Sequence, residues 1–510
     1  MTRRFYDVIV LGADLGPLLT AAILAKRGFR VLVLGCGTLD DAYDEDGLRL
    51  PRWPSYFAVG DTPIVRRVFS DLALWQILRR KLLPLEPSYQ VVLPRARLDV
   101  SRDRSRYAEE CAREFGGDDA RTIEAFYARV EDLNARLDEF LAEDLPLPPD
   151  GFLERRRFQR ASLQNPFGPY GDGNAVWGDL PENHPFRLAV LTQVRCAMHG
   201  DTTGPTPLQV VRLHASWQGH GALPEGGLAG LRAFLRERIL LHAGEIELDD
   251  AAAEIVMRRG RAVAVRRERD EEPTGAQYVV AGLETERLLP LFGDAAPRAL
   301  TEAAAACRPR QRRFTCNLVV RREVVPVGMA RHACFVPEPD YLPIEDNLLL
   351  LEASPLDESR AVLCVQAFAL ADRLAAEPAY LAELTRRIVD RVAWLVPSLE
   401  QHLLAVSSPW MLPERAGAGG ARVPPAERLE RSPARMPALP HIPEGSSLGL
   451  TCLSHRLAGR HLFLTGRDVI PGLGDEGVFL SAWTVARIIT QKNPRRVRLR
   501  RELGSMIESG

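Results

Sequence analysis

Residues Asp7-Val8-Ile9-Val10-Leu11-Gly12-Ala13-Asp14-Leu15-Gly16-Pro17, continued through Leu18 to Ala25 and closed by Val31-Leu32-Val33-Leu34-Gly35, decide the fold. An apolar run, a glycine-containing turn, apolar residues at Leu18, Leu19, Ala22 and Ala25, and a second apolar run fill about thirty residues. That is the span of a strand–helix–strand unit in a doubly wound α/β sheet. In the nucleotide-binding version, the first glycine makes a tight turn and the second lets backbone approach a pyrophosphate. The third lets helix pack on strand, and an acid ending the second strand holds a ribose. Here those positions read Gly12, Asp14, Pro17 and Gly35.

The scaffold is intact while its ligand contacts are altered. Asp14 aims a carboxylate at the place of a pyrophosphate, and one like-charge pair at ~4 Å costs roughly 4 kcal/mol at an effective dielectric of 20. Pro17 suits a first helical turn but removes an N–H of the kind that makes a helix start bind anions. Gly35 forfeits charge-assisted hydrogen bonds worth on the order of 1.5–3 kcal/mol each. Two readings of this unit stay open: a weakened nucleotide site, or a unit that sits in its sheet and binds nothing.

A chain of 510 residues, 46% hydrophobic and 26% charged, has enough apolar material for two intertwined domains. A formal net charge of −1 gives no basic field and hence no reason to expect nucleic acid as partner. The eight cysteines are scattered, with no CxxC pair and no His/Cys spacing for zinc, so no metal site and a reducing, cytoplasmic compartment are expected. The first strand begins within a few residues of the N-terminus, leaving no room for a signal peptide. No apolar run reaches the ~18 residues of a spanning helix.

Further along, Asp40-Asp41 and Asp44-Glu45-Asp46 read as a solvated acidic turn ahead of a short strand at Gly47 to Leu50. Arg106 to Ala142 reads as one long helix, with Ile123, Phe126, Val130, Leu133, Leu137 and Leu141 on its core face. Leu223-Pro224-Glu225-Gly226-Gly227-Leu228 leads into an amphipathic helix. Strands follow at Glu245 to Leu248, Ala253 to Met257, Ala262 to Arg266 and Tyr278 to Gly282. Residues 311–370 are strand-rich, a helix runs from Ala376 to Trp394, and 416–446 form a Gly/Pro-rich surface excursion. The chain closes with a strand at His461 to Leu464, the turn residues Gly466, Arg467, Asp468, Gly472, Gly474 and Gly477, and a helix from Val478 to Gln491. This is again an anion-facing helix start. His199, His214 and His220 read as core or surface residues, and Trp177 and Trp217 as core packing or, alternatively, the lining of an apolar pocket. No Ser/His/Asp or Cys/His constellation stands out, and no catalytic residue is assigned.

In this order, and over essentially the whole chain, these pieces resemble the phytoene desaturase, carotenoid isomerase and retinol saturase group of flavoproteins. The group's opening GAGIGGLTAA lies over Gly12 to Ala21, its G-[FY]-x-F-D-x-G-P-[ST] over Gly47 to Ser55, its Y-P-x-G-G-M over Leu223 to Leu228, and its final glycine motif over Gly466 to Gly477. The resemblance implies an α/β fold in which a Rossmann-like, amine-oxidase-like FAD/NAD(P)-binding domain (residues 1–100, 220–290 and 455–492) is interleaved with a sheet-plus-helices substrate domain (101–219 and 291–454). A basic tail, 493–510, follows.

By the same resemblance, FAD would lie against Gly12, Ala13, Asp14, Gly16, Pro17, Gly35, Gly466, Arg467, Asp468, Gly472, Gly474 and Gly477. The flavin would carry the hydride chemistry, on an isoprenoid or carotenoid. The departures fall on that cofactor. The family's G-G-R is replaced by the acidic stretch Leu39 to Asp46, and the acid after the C-terminal glycine is replaced by Arg467. Asp14 and Arg467 are opposite in sign, and the resemblance brings them together; paired across the cleft, they would stabilise a cofactor-free form. Two functions are expected on these grounds. One is a degenerate, non-catalytic homologue binding an apolar or isoprenoid ligand or a protein partner; the other is an active FAD-dependent oxidoreductase. The cluster Lys492, Arg495, Arg496, Arg498, Arg500 and Arg501 allows peripheral contact with an anionic membrane.

Overall fold

The computed structural model describes residues 5–143, 145–163, 165, 167, 174–220, 222–412, 431–456 and 459–493. The opening unit forms as read: strand β1 (Phe5–Leu11), helix α1 (Leu15–Lys26) and strand β2 (Val31–Leu34). β1 and β2 pair in parallel, Val8 opposite Val31 and Leu11 opposite Leu34. Every residue of β2 is buried, as an unbroken apolar run demands when both faces of a parallel sheet are covered.

The first sheet extends from β1 to the parallel strand Thr274–Ala281, which pairs with Leu462–Leu464, and from β2 to Glu245–Glu247. The hairpin Ala252–Arg258 and Arg261–Arg267 continues it antiparallel. Its strands thus come from the beginning, middle and end of the chain. The helices Gly227–Leu241 and Gly474–Gln491 pack against α1. α1 has eleven buried residues of twelve, so this helix is interior rather than amphipathic.

A second sheet runs Leu403–Ser407, Gln311–Arg321, Arg360–Leu370, Glu345–Pro355, His332–Phe335, Tyr89–Leu93 and Ala96–Val100. The hairpin Tyr89 to Val100 therefore belongs, by its hydrogen bonds, with this second sheet and not with the first. The helix Tyr380–Leu395 covers one face, burying Leu381, Leu384, Ile388 and Val392 at three- and four-residue spacing. Helices Arg104–Phe115, Gly117–Ala142, Pro185–Ala197 and Pro207–His220 form a further layer.

Three expectations need correction. The helix expected over Arg106 to Ala142 is two helices, broken at Gly116, whose φ of 86° no helix accommodates. The helical stretch expected from Ala376 to Trp394 starts later, at Tyr380, and runs to Leu395, Ala376 ending the separate short helix Ala371–Ala376. The acidic turn is not a solvated loop. Ala42–Glu45 is a strand paired with Leu48–Pro51. Glu45 is ion-paired at 2.7 Å with Arg431 and Asp41 at 2.7 Å with Arg232, both arginines being nearly inaccessible. The basic tail beyond Asn493, residues 416–430 of the 416–446 excursion and the side chain of His220 lie outside the described residues.

Among the described residues no helix is long and apolar enough to cross a membrane, and no group of His, Cys, Asp and Glu is placed to hold a metal ion. All eight cysteines are free.

Candidate functional site: a charged cavity between the two sheets

The ends of the chain meet at one cavity of about 220 Å³. A Cβ on Gly16 would lie 2.9 Å from the Gly466 Cα, so α1 and the turn after Leu462–Leu464 touch through two glycines. Asp14, Gly16, Pro17, Gly466, Arg467 and Asp468 all line the cavity. The other expected cofactor contacts, Gly12, Ala13, Gly35, Gly472, Gly474 and Gly477, do not. A Cβ on Gly35 would overlap the carbonyl oxygen of Leu248, so that position excludes any side chain, a ribose-binding acid included. Gly472, Gly474 and Gly477 are pressed against Leu450, Ala197 and Ile470 in the same way. They are packing glycines, absent from the cavity lining together with Gly12 and Ala13.

At the start of α1 the backbone donors are largely taken by the chain itself. Asp14 is the N-cap, accepting from the Leu15 N–H at 2.9 Å. The Ala13 N–H donates to Thr38 Oγ1 at 2.9 Å, and Pro17 has none to offer. The carboxylate of Asp14 also accepts from Arg467 Nη2 at 2.7 Å, and Arg232 Nη1 stands 3.6 Å away. The expected juxtaposition of Asp14 with Arg467 is therefore a direct ion pair, each side chain about one-third exposed (35% and 33%). Burial alone pushes the Asp14 carboxyl up. The Arg467 and Arg232 guanidiniums, with the Leu15 amide, outweigh it and bring it down to about 2. Asp14 in turn raises Arg467.

Asp468 does not replace the missing acid. Its carboxylate accepts from the Thr285 N–H at 3.2 Å, and burial, reinforced by the nearby Glu284, pushes it up to about 7. Burial raises Glu284 as well, against the pull of Arg467. Arg287 and Arg435 also line this end, donating to the carbonyls of Cys36 and Gly37.

The last helix also brings its N-terminus to the cavity, and its first turn carries Asp475 and Glu476. Asp475 accepts from His199 Nε2 at 2.9 Å, placing in the cavity a histidine that the sequence suggested only as a core or surface residue. Burial nevertheless lowers the His199 pKa. Glu476 forms a two-pronged pair with Arg212, Nε to Oε2 and Nη2 to Oε1 both at 2.6 Å, inside the protein. Trp217 lines the cavity with Tyr56, their ring centroids 4.1 Å apart. Trp177 instead stacks on Phe126 in the helical layer, and His214 lies in a buried network with Tyr127 and Gln193, its pKa lowered to about 3 by burial.

Thr38, Arg232, Glu284, Arg287, Arg313 and Arg435 are not marked by any local motif, because they come from separate loops, helices and a strand that only the tertiary fold brings to the cavity. Only Arg313 carried a legible signal, the alternation of Arg313, Thr315 and Asn317 with Phe314, Cys316 and Leu318.

No protein-family model matches the chain, and no curated protein matches it. Solved structures do. It resembles an oxidoreductase of Methanosarcina mazei at 13% identity and a TM-score of 0.55, covering 94% of this chain and 99% of that one. It also resembles a putrescine oxidase redesigned in cofactor binding, at 16% identity and a TM-score of 0.55, over 96% and 99%. A Pyrococcus furiosus protein aligns at 13% identity and a TM-score of 0.52, over 95% and 97%. At these identities the likeness shows a shared fold: a Rossmann-like domain of amine-oxidase type interleaved with a substrate domain.

Proposed function

We propose that this chain is a flavoprotein-fold protein in which the protein's own side chains take the place of FAD's pyrophosphate, so that the resting form is cofactor-free and serves to bind a small molecule or a protein partner. The observation that carries this reading is the Asp14–Arg467 pair at 2.7 Å, set on the N-terminus of α1. A carboxylate capping Leu15 N–H meets the helix-end charge that a phosphate otherwise neutralises, and Arg467 supplies the counter-cation. Thr38 on Ala13 N–H, the prolyl nitrogen of Pro17 and the blocked position at Gly35 act in the same direction, so the residues present do not fit the dinucleotide.

The test is direct. The purified wild-type protein is expected to be colourless, with no flavin absorbance and no rise in thermal midpoint on adding FAD. Asp14→Gly combined with Arg467→Glu, which restores the family's residue types, is expected to acquire saturable FAD binding. A yellow wild-type protein that releases FAD on denaturation sinks the proposal.

A second reading, an active FAD-dependent oxidoreductase, is favoured by one feature. The last helix still enters the cavity N-terminus first, beside a turn in which Gly466 has nothing within 4 Å of its absent side chain. Of the ligands the family resemblance implies, a long isoprenoid finds apolar surface at Tyr56, Trp217, Leu213 and Leu350. Further apolar surface comes from Leu15, Val59, Leu228, Leu283 and Val478, interrupted by the charged groups of Asp14, Arg232, Arg313 and Arg467.

A further inference from the structure

The second sheet has two unlike faces, one under a helix and one on the cavity. Along Gln311–Arg321, Phe314, Cys316 and Leu318 are buried with Leu384, Ile388 and Val392 of the covering helix, whereas Arg313 and Thr315 line the cavity. Register carries the polar face across the neighbouring strands, Thr315 opposite Gln366 and Gln366 opposite Leu350, both of which also line the cavity.

Arg313 is fixed in place. Its guanidinium donates to the carbonyls of Cys196, at 3.2 Å, and Met198, and lies 3.4 Å from Gln366 Oε1. The two carbonyls belong to the C-terminal end of the helix Pro185–Ala197, where the helix dipole favours a cation. These acceptors are dipoles. Among the described residues no carboxylate is within ion-pair distance of Arg313; Asp475, whose charge acts on it, is hydrogen-bonded to His199. Burial and the neighbouring Arg467 lower the Arg313 pKa to about 10. A cation held without a counter-ion beside a cavity is completed by an anion entering that cavity. Over the same sheet face stands the Tyr56–Trp217 pair, with Tyr56 also edge-on to His332 at 4.8 Å.

We infer that this chamber binds a small carboxylic acid with an aromatic body, its carboxylate on the Arg313 guanidinium and its ring against Tyr56, Trp217 and Leu350. The inference rests on the preceding proposal only in that the cavity takes a small molecule; whether flavin occupies the α1 end is a separate matter.

Calorimetric titration of the full-length protein with three probes of one shape tests it: phenylacetate, neutral 2-phenylethanol and cationic 2-phenylethylamine. Phenylacetate is expected to bind saturably, the alcohol at least about tenfold more weakly, and the amine not at all. Arg313→Ala is expected to weaken phenylacetate about 10- to 100-fold and leave the alcohol unchanged, and Arg313→Lys to lose less. Arg313→Lys also serves where the alanine variant does not fold. Absence of saturable phenylacetate binding to the wild type, equal affinity for acid and alcohol, or an affinity indifferent to both substitutions overturns the inference. Flavin absorbance of the same samples is read separately, so a yellow protein with Arg313-dependent binding sinks only the cofactor-free reading.

Discussion

Two helices point their N-termini at the cavity, and each is met by a carboxylate–arginine pair in a different setting. At α1 the pair is Asp14 with Arg467, both about one-third exposed. At the last helix it is Glu476 with Arg212, each side chain 2% exposed, with Asp138 and Asn134 completing the arginine's hydrogen bonds. The first pair is screened by solvent and contributes little to stability; its role is to occupy a ligand's place. The second is enclosed, so removing one partner strands a buried charge. The same pairing of a carboxylate with an arginine therefore acts as a removable plug at one helix and as a structural rivet at the other.

The difference is open to attack by substitution. Arg212→Ala is expected to destabilise the protein most, by about 3–5 kcal/mol, because Glu476 is left buried without a partner. Chemical denaturation reads this directly, and a loss no larger than that of Arg467→Ala erases the distinction.

Asp468→Asn sharpens the comparison at the cavity's one carboxyl displaced upward to about 7. A carboxyl held higher when folded than when unfolded retains its proton in the folded state, so it takes stability away as pH rises from about 4 to about 7. Asparagine keeps the acceptor for Thr285 N–H but cannot ionise. The variant is expected to gain stability relative to wild type at pH 8 and not at pH 4, and a pH-independent difference contradicts the assignment.

Asp14→Ala is expected to be milder, losing about 1 kcal/mol for the helix cap, and Arg467→Ala milder still, at roughly 0–1 kcal/mol. Asp14 has its carboxyl depressed to about 2, so what it contributes is present above pH 4 and lost as pH falls toward 2. Acid unfolding curves of wild type and Asp14→Ala should therefore converge at the acid end.

How much of this was legible in the sequence depended on distance along the chain. Strands whose partners are uniform apolar neighbours, such as Val8 to Leu11 and Val31 to Leu34, announce themselves through composition alone. So does the meeting of the two ends, because Gly16 and Gly466 each sit in a recognisable strand–turn–helix. The acidic stretch around Asp41 and Glu45 was misread because its partners, Arg232 and Arg431, are remote in sequence and no local pattern pairs them. Gly35 looked like a lost ligand contact, whereas the Leu248 carbonyl leaves room for nothing else. The alternation around Arg313 marks a polar strand face, but that face reads as solvent-facing until the opposite wall of the cavity is known.

The ion pair that fills the start of α1 joins residues 453 positions apart. At ~5–20 residues per second of synthesis, the bare end of α1 waits on the order of 20–90 s for Arg467 to be made. Throughout that interval Asp14 lacks its cation, and the first sheet lacks Leu462–Leu464 and the helix that packs on α1. The start of α1 is therefore among the last places in the first sheet's surroundings to receive its partners, because they are made last.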